Sequence, residues 1–198
     1  MDLLEKNDLL FEKEYWSDCT NTFDEDQKHY VYAKYMGLKR ENYSFNVEGK
    51  RILDIGGGPT SILLKTTNLK EGKVCDPIDF PQWTYDRYKI KNISYQITEG
   101  EYIEEEGWDE VWIYNCLQHT ISPSTIIQNA LKSAKTLRIF EWVDVPPHEG
   151  HPQELTKAFL DKEIGKQGQV VTLSESGCYG KAYYNVKTRW VTNPHSTY

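Results

Sequence analysis

The run Ile52-Leu53-Asp54-Ile55-Gly56-Gly57-Gly58-Pro59-Thr60-Ser61 has few physical solutions. Its apolar first half reads as a short buried strand, and consecutive glycines let the chain turn sharply without a Cβ penalty. A strand that bends through glycines into a helix brings backbone amides close to a ligand at the carboxyl end of a sheet. The helix expected after the bend covers Thr60 to Thr67, with Ile62, Leu63 and Leu64 facing the sheet. Asp54 stands two residues before the first glycine. Asp76, 22 positions beyond Asp54, closes the next strand-like run, Lys73-Val74-Cys75-Asp76. A carboxylate there can accept both ribose hydroxyls of a nucleoside. Together the two features describe an adenosine-containing ligand lying across strand ends.

The remainder of the chain repeats the strand-then-helix pattern. Asn92 to Ile97, Glu110 to Tyr114 and Thr136 to Val143 are strand-like, the second by its composition a buried one. Ser122-Pro123 supplies an N-cap and a first-turn proline for a helix with Ile126, Ile127, Ala130, Leu131 and Ala134 at helical spacing. Pro152 opens another, with Leu155, Ala158, Phe159 and Ile164 on one side and Gly165 after it. Two strands, Gln169 to Leu173 and Lys181 to Trp190, close the chain with only Ser176-Gly177 as a turn signal between them. The fold class is therefore α/β: a doubly wound, mostly parallel seven-stranded sheet with an antiparallel C-terminal edge hairpin.

Residues 1–49 differ. They are acidic and aromatic with no convincing strand, and two helices are expected in them. One lies near 2–13. The other starts at the capping-box spacing of Thr22-Phe23-Asp24-Glu25 and stops at Gly37. Helices this short need something to cover, so 1–49 is read as a helical cap or lid on a core of 50–198, the whole 1–198 forming one domain.

Charge and composition exclude some partners. Lys and Arg total 23 against 30 Asp and Glu, a net charge of −7, which opposes a broad nucleic-acid surface. No apolar run approaches a membrane span, and the acidic start differs from a secretory signal. Cys19, Cys75, Cys116 and Cys178 are scattered without a C-x-x-C pair, as in a reduced, cytoplasmic protein. The 14 Tyr and 6 Trp suit a lined pocket or an interface.

These residues resemble the class I S-adenosylmethionine-dependent methyltransferases. Asp54-x-Gly56-x-Gly58 is similar to the first motif of that family, and Asp76 stands where its ribose-binding acid belongs. Gly100-Glu101 resembles the loop that reads the adenine amino group, and Trp108 to Thr120 the fourth strand with its following loop. The likeness covers about residues 50–190 and implies S-adenosyl-L-methionine as cofactor, with contacts from Asp54, Gly56, Gly57, Gly58, Asp76, Gly100, Glu101 and Asn115. The family's third glycine is Thr60 here.

The family's N-terminal segment often folds over the cofactor, which makes Tyr15, Trp16 and Tyr30 candidates to face the sulfonium through cation–π attraction. The implied activity is methyl transfer to a small-molecule acceptor, such as a sugar or metabolite hydroxyl. A hydroxyl acceptor needs its proton removed, and His119, His148, His151 and Glu141 are the candidate catalytic groups, with Asp144 beside Glu141. Some members hold a divalent cation near the places of Asn115, Glu141 and Asp144, but Asn115 replaces the expected acid, so no metal is expected. A nicotinamide-binding fingerprint would need a glycine at Ser61. A non-catalytic module that binds adenosylmethionine or a nucleotide stays open, because methyl transfer has no universal catalytic residue. The aromatic N-terminal segment could instead form a homodimer.

Overall fold

The computed structural model describes residues 3–188. Seven strands form the main sheet: β1 (Arg51–Ile55), β2 (Glu71–Asp76), β3 (Ile93–Ile97), β4 (Trp108–Tyr114), β5 (Ala134–Trp142), β6 (Gln169–Glu175) and β7 (Cys178–Thr188). Their order across the sheet is β3-β2-β1-β4-β5-β7-β6. The first five are parallel, and β7 runs antiparallel between β5 and β6. The strand order reverses between β1 and β4, so the connections that leave their carboxyl ends part there and leave the crevice where such sheets bind ligands.

Alternation along β4 sends residues to two cores. Val111 and Ile113 join Ile126, Ile127, Ala130 and Leu131 of α4 (Pro123–Ser133) and Leu160 and Ile164 of α5 (Lys157–Ile164). Trp112 and Tyr114 face the opposite layer, made by α2 (Cys19–Tyr35) and α3 (Gln82–Ile90). There Tyr32 of α2 stacks on Phe140 of β5 with ring centroids 4.6 Å apart. Preceding α2 is α1 (Leu3–Ser17), across the carboxyl edge of the sheet.

Several expectations need correction. No α-helix follows the glycines. Residues Gly58–Thr60 and Ile62–Lys65 form two 3-10 turns, interrupted at Ser61, whose φ of −36° and ψ of 140° are not helical. Ser61 prefers a local bond to its neighbours, as short polar side chains do: its hydroxyl donates to Asp54 and accepts from the Leu63 amide. The segment then enters a two-residue strand, Thr66–Thr67, which joins Arg40–Glu41 and Ser44–Asn46 in a small separate sheet, so the N-terminal fifty residues do contain strands.

Helix α2 begins three residues before Thr22, because Asp18 caps it by accepting from the Thr20 amide at 2.7 Å. Glu25 is released from capping and is buried. Helix α5 starts after Thr156, not at Pro152, since His148 and His151 pair through their backbones upstream. Trp190, the expected end of β7, lies outside the described residues. Among the described residues no helix is long and apolar enough to cross a membrane.

Candidate active site

Strand β1 ends at Ile55, and Gly56 turns the chain at a φ of +74°, its amide still donating to Cys75 O at 2.8 Å. A Cβ on Gly56 would stand 2.2 Å from Cys116 Sγ, so only glycine fits. The bend is held from below. Asp54, fully buried, accepts from the Ser61 hydroxyl and from Tyr114 OH at 2.5 Å. Burial pushes its pKa up to about 7 against the pull of those two hydrogen bonds.

Asp76 ends β2 beside the bend. Its Oδ2 accepts from the Gly58 amide at 3.1 Å and its Oδ1 from the Ile78 amide at 3.0 Å. Each carboxylate oxygen keeps acceptor capacity beyond those bonds. Burial raises its pKa to about 6, opposed by the two amides.

Asp76 lines a cavity of about 440 Å³ over the carboxyl ends of β1, β2, β4 and β5. Gly56, Ile78, Gly100, Glu101, Asn115 and Cys116 share its floor and one wall. The Gly100–Glu101 loop is tied to α4, with Asn129 Nδ2 donating to Glu101 O at 2.8 Å and the Ser122 amide donating to Glu101 Oε1 at 3.0 Å. Helix α1 roofs the cavity. Trp16 covers Gly58, its ring 3.5 Å from where a Cβ would be, and Tyr15 lies edge-on to Trp16.

His119 Nδ1 lies 2.6 Å from Gly150 O and 2.9 Å from Glu12 Oε1. Burial lowers the pKa of His119, but the Glu12 hydrogen bond and charge outweigh it, so the net shift is upward. The His151 ring sits 4.4 Å from the His119 ring and 4.2 Å from that of His148. Burial and the neighbouring imidazoles push His151 down to about 4.

No family model and no curated protein sequence matches the chain. Solved structures do. The magnesium protoporphyrin IX methyltransferase (ChlM) of Synechocystis PCC 6803, crystallised with SAH, is 13% identical with a TM-score of 0.58, over 86% of this chain and 88% of its own. The same protein with SAM bound gives 14% and 0.56, over 95% and 85%. A Nostoc punctiforme PCC 73102 protein, provisionally classed as an O-methyltransferase, gives 12% and 0.55, over 71% of this chain and 52% of its own. This chain thus spans about half the length of the Nostoc protein.

The chain has the class I methyltransferase fold.

Within that methyltransferase fold, the sequence-predicted residues separate into three groups. Gly56, Asp76, Gly100, Glu101, Asn115, Tyr15, Trp16, His119, His148 and His151 converge on the cavity. Asp54 and Gly57 lie beneath the bend, where a Cβ on Gly57 would meet Asp54 Oδ2 at 2.7 Å, and Gly58 is covered by Trp16. Asp54 therefore shapes the bend and is no lining residue.

Two candidates are displaced altogether. Tyr30 points to the outer side of α2, donating to Tyr43 O at 3.2 Å beneath the Arg40 guanidinium. Glu141 is sealed under the turn after β4, accepting from the Cys116 amide at 3.2 Å and the Leu117 amide at 3.1 Å, with its pKa pushed by burial to about 7. It positions the loop that carries His119 and does not face the cavity. Asp144 is exposed and paired with Lys181. Among the described residues no group of three His, Cys, Asp or Glu could hold a metal ion.

Sequence reasoning missed Glu12, Glu25, Lys28, Tyr32 and Trp142, all of which line the cavity. The spacing of Glu25, Lys28 and Tyr32, at i, i+3 and i+7, puts them on one helix face, which was the available signal.

Proposed function

We propose that this protein is an S-adenosyl-L-methionine-dependent methyltransferase acting on a small-molecule acceptor. The observation that carries the reading is the Asp76 carboxylate, lining the cavity beside the Gly56 bend, with acceptor capacity left over for a ribose. Gly100 and Glu101 stand on the adenine side, and the ligands crystallised in ChlM are of the chemistry this floor suits. When bound, the cofactor supplies an electrophilic methyl on a sulfonium.

The protein's share is placement, exclusion of water and handling of one proton. Trp16 and Tyr15 close the roof over the bend. A hydroxyl acceptor would enter on the side of Trp142 and the histidines. His119 is engaged by Glu12 and the Gly150 carbonyl, which leaves His151, pushed down to about 4 and so uncharged near pH 7, as the acceptor of the hydroxyl proton. His148 is exposed and its ring adjoins that of His151, which puts His151 next to solvent.

Titration calorimetry tests the reading: adenosylmethionine should bind with micromolar affinity, and no binding at millimolar ligand would refute it. Asp76→Ala should weaken binding by about 1–3 kcal/mol, from the loss of charged hydrogen bonds. Because the ribose hydroxyls need the ionised carboxylate, wild-type affinity should fall as pH drops below about 6, following the Asp76 pKa.

A further inference from the structure

Glu25 and Lys28 stand one turn apart on α2, and both line the cavity that Asp76 lines from the sheet. Lys28 Nζ lies 2.5 Å from Glu25 Oε1. The Tyr15 hydroxyl donates to Oε1 and the Tyr32 hydroxyl to Oε2, each at 3.3 Å. Glu25 is only 5% exposed. Lys28 is the sole Lys or Arg among the described residues that line this cavity.

Withdrawing an ion pair from water carries a desolvation penalty that mutual attraction often fails to offset. Anchoring α2 does not require this one, since Tyr32, Ala33 and Met36 already bury that helix and its C-cap in the core. The pair also has unused capacity. An ammonium has three donors and Lys28 spends one on Glu25, while the Glu25 carboxylate has about four lone-pair sites and receives three bonds.

Adjacent opposite charges facing a cavity are complementary to a ligand bearing the same two charges in reverse. An α-amino-acid group is such a ligand. We propose that the Glu25–Lys28 pair receives an α-amino-acid group, its carboxylate on Lys28 and its ammonium on Glu25. This rests on the function proposed above. The group has two possible sources, the methionine end of the cofactor or a free amino acid serving as methyl acceptor.

The test compares two nucleosides that differ in that group. S-adenosylhomocysteine carries the amino-acid end and 5′-methylthioadenosine lacks it; each is titrated calorimetrically into wild type, Lys28→Met and Glu25→Gln. Wild type should bind the first at least tenfold more tightly. In both variants that advantage should collapse by tenfold or more, while methylthioadenosine binding, which reports an intact nucleoside site, stays unchanged. This outcome assigns the cofactor as source. Should adenosylhomocysteine binding survive in Lys28→Met, each free amino acid is titrated onto the wild-type complex, and binding that Lys28→Met abolishes assigns the acceptor. The proposal is overturned if neither ligand depends on Lys28, or if Lys28→Met weakens both nucleosides equally. A wild type that binds neither nucleoside refutes the function itself, and the proposal with it.

Discussion

Glu141 shows how a carboxylate can serve the site without entering it. Two amides of the turn after β4 hold it, and burial raises its pKa from the ordinary glutamate range to about 7. The folded protein therefore binds a proton there between about pH 4.5 and 7 that the unfolded chain releases. Stability from this group is present at low pH and is lost as pH rises toward 7. Glu141→Gln keeps an acceptor for the amides but cannot titrate. Urea unfolding at pH 7.5 and pH 5 should show the free-energy difference between wild type and variant moving in favour of wild type at pH 5, by on the order of 2 kcal/mol. A difference that stays constant would mean that Glu141 is ionised throughout. The same isolation beneath the turn explains why a sequence cannot separate such an acid from a base: the position near the carboxyl end of β5 is legible, the direction of the side chain is not.

At the scale of elements, the connection from β1 to β2 lacks the helix its apolar residues suggest, and its backbone donors need other partners. Two tyrosines supply them. Tyr88 of α3 donates to Gly58 O at 2.6 Å and accepts from the Ser61 amide at 3.1 Å, and Tyr114 of β4 accepts from the Ile62 amide at 3.0 Å. Tyr88→Phe keeps the ring and orphans both Gly58 O and the Ser61 amide in a buried place. It should cost about 1–3 kcal/mol, seen as a lower urea midpoint with an unchanged slope; an unchanged midpoint would show that the turns hold themselves.

The strands were legible because their apolar runs meet two covered faces, as in Val111 to Tyr114. The 3-10 turns were not, because Ile62, Leu63 and Leu64 satisfy a helical spacing while the deciding bonds come from Tyr88 and Tyr114, 27 and 52 residues distant from the amides they satisfy. Half of the site had a motif to reveal it, at Gly56, Asp76 and Gly100. Glu12 had no signal, and Glu25 and Lys28 only a shared helix face, since their proximity to the floor exists only once α1 and α2 are docked.

Over the whole molecule, the cavity is assembled from two parts: the carboxyl edge of the sheet and the α1 roof. Side chains of α1 tie the roof to the rest of the molecule. Phe11 packs against Gly150, where a Cβ would come within 2.5 Å of the ring, and Glu12 binds His119. Tyr15 reaches Glu25 on α2. Of the other groups acting on His119, Gly150 contributes only a carbonyl and Gln118 an uncharged amide. His151, with a pKa near 4, stays uncharged across the neutral range, and the Glu141 carboxylate, ionising near pH 7, adds to the pull of Glu12. The charge of the latch therefore follows His119. Its pKa is raised in the docked state, so the docking energy is fully present below the ordinary histidine value and is lost as pH rises through the raised one. Hydrogen exchange of the α1 amides, corrected for intrinsic chemical rates, should accelerate between pH 6 and pH 9 in wild type. In Glu12→Gln it should be faster at pH 6 and nearly independent of pH, because the imidazolium has lost its counter-charge. Exchange independent of pH in both proteins would place the closure of the roof elsewhere, in the Phe11 and Trp16 contacts that carry no charge.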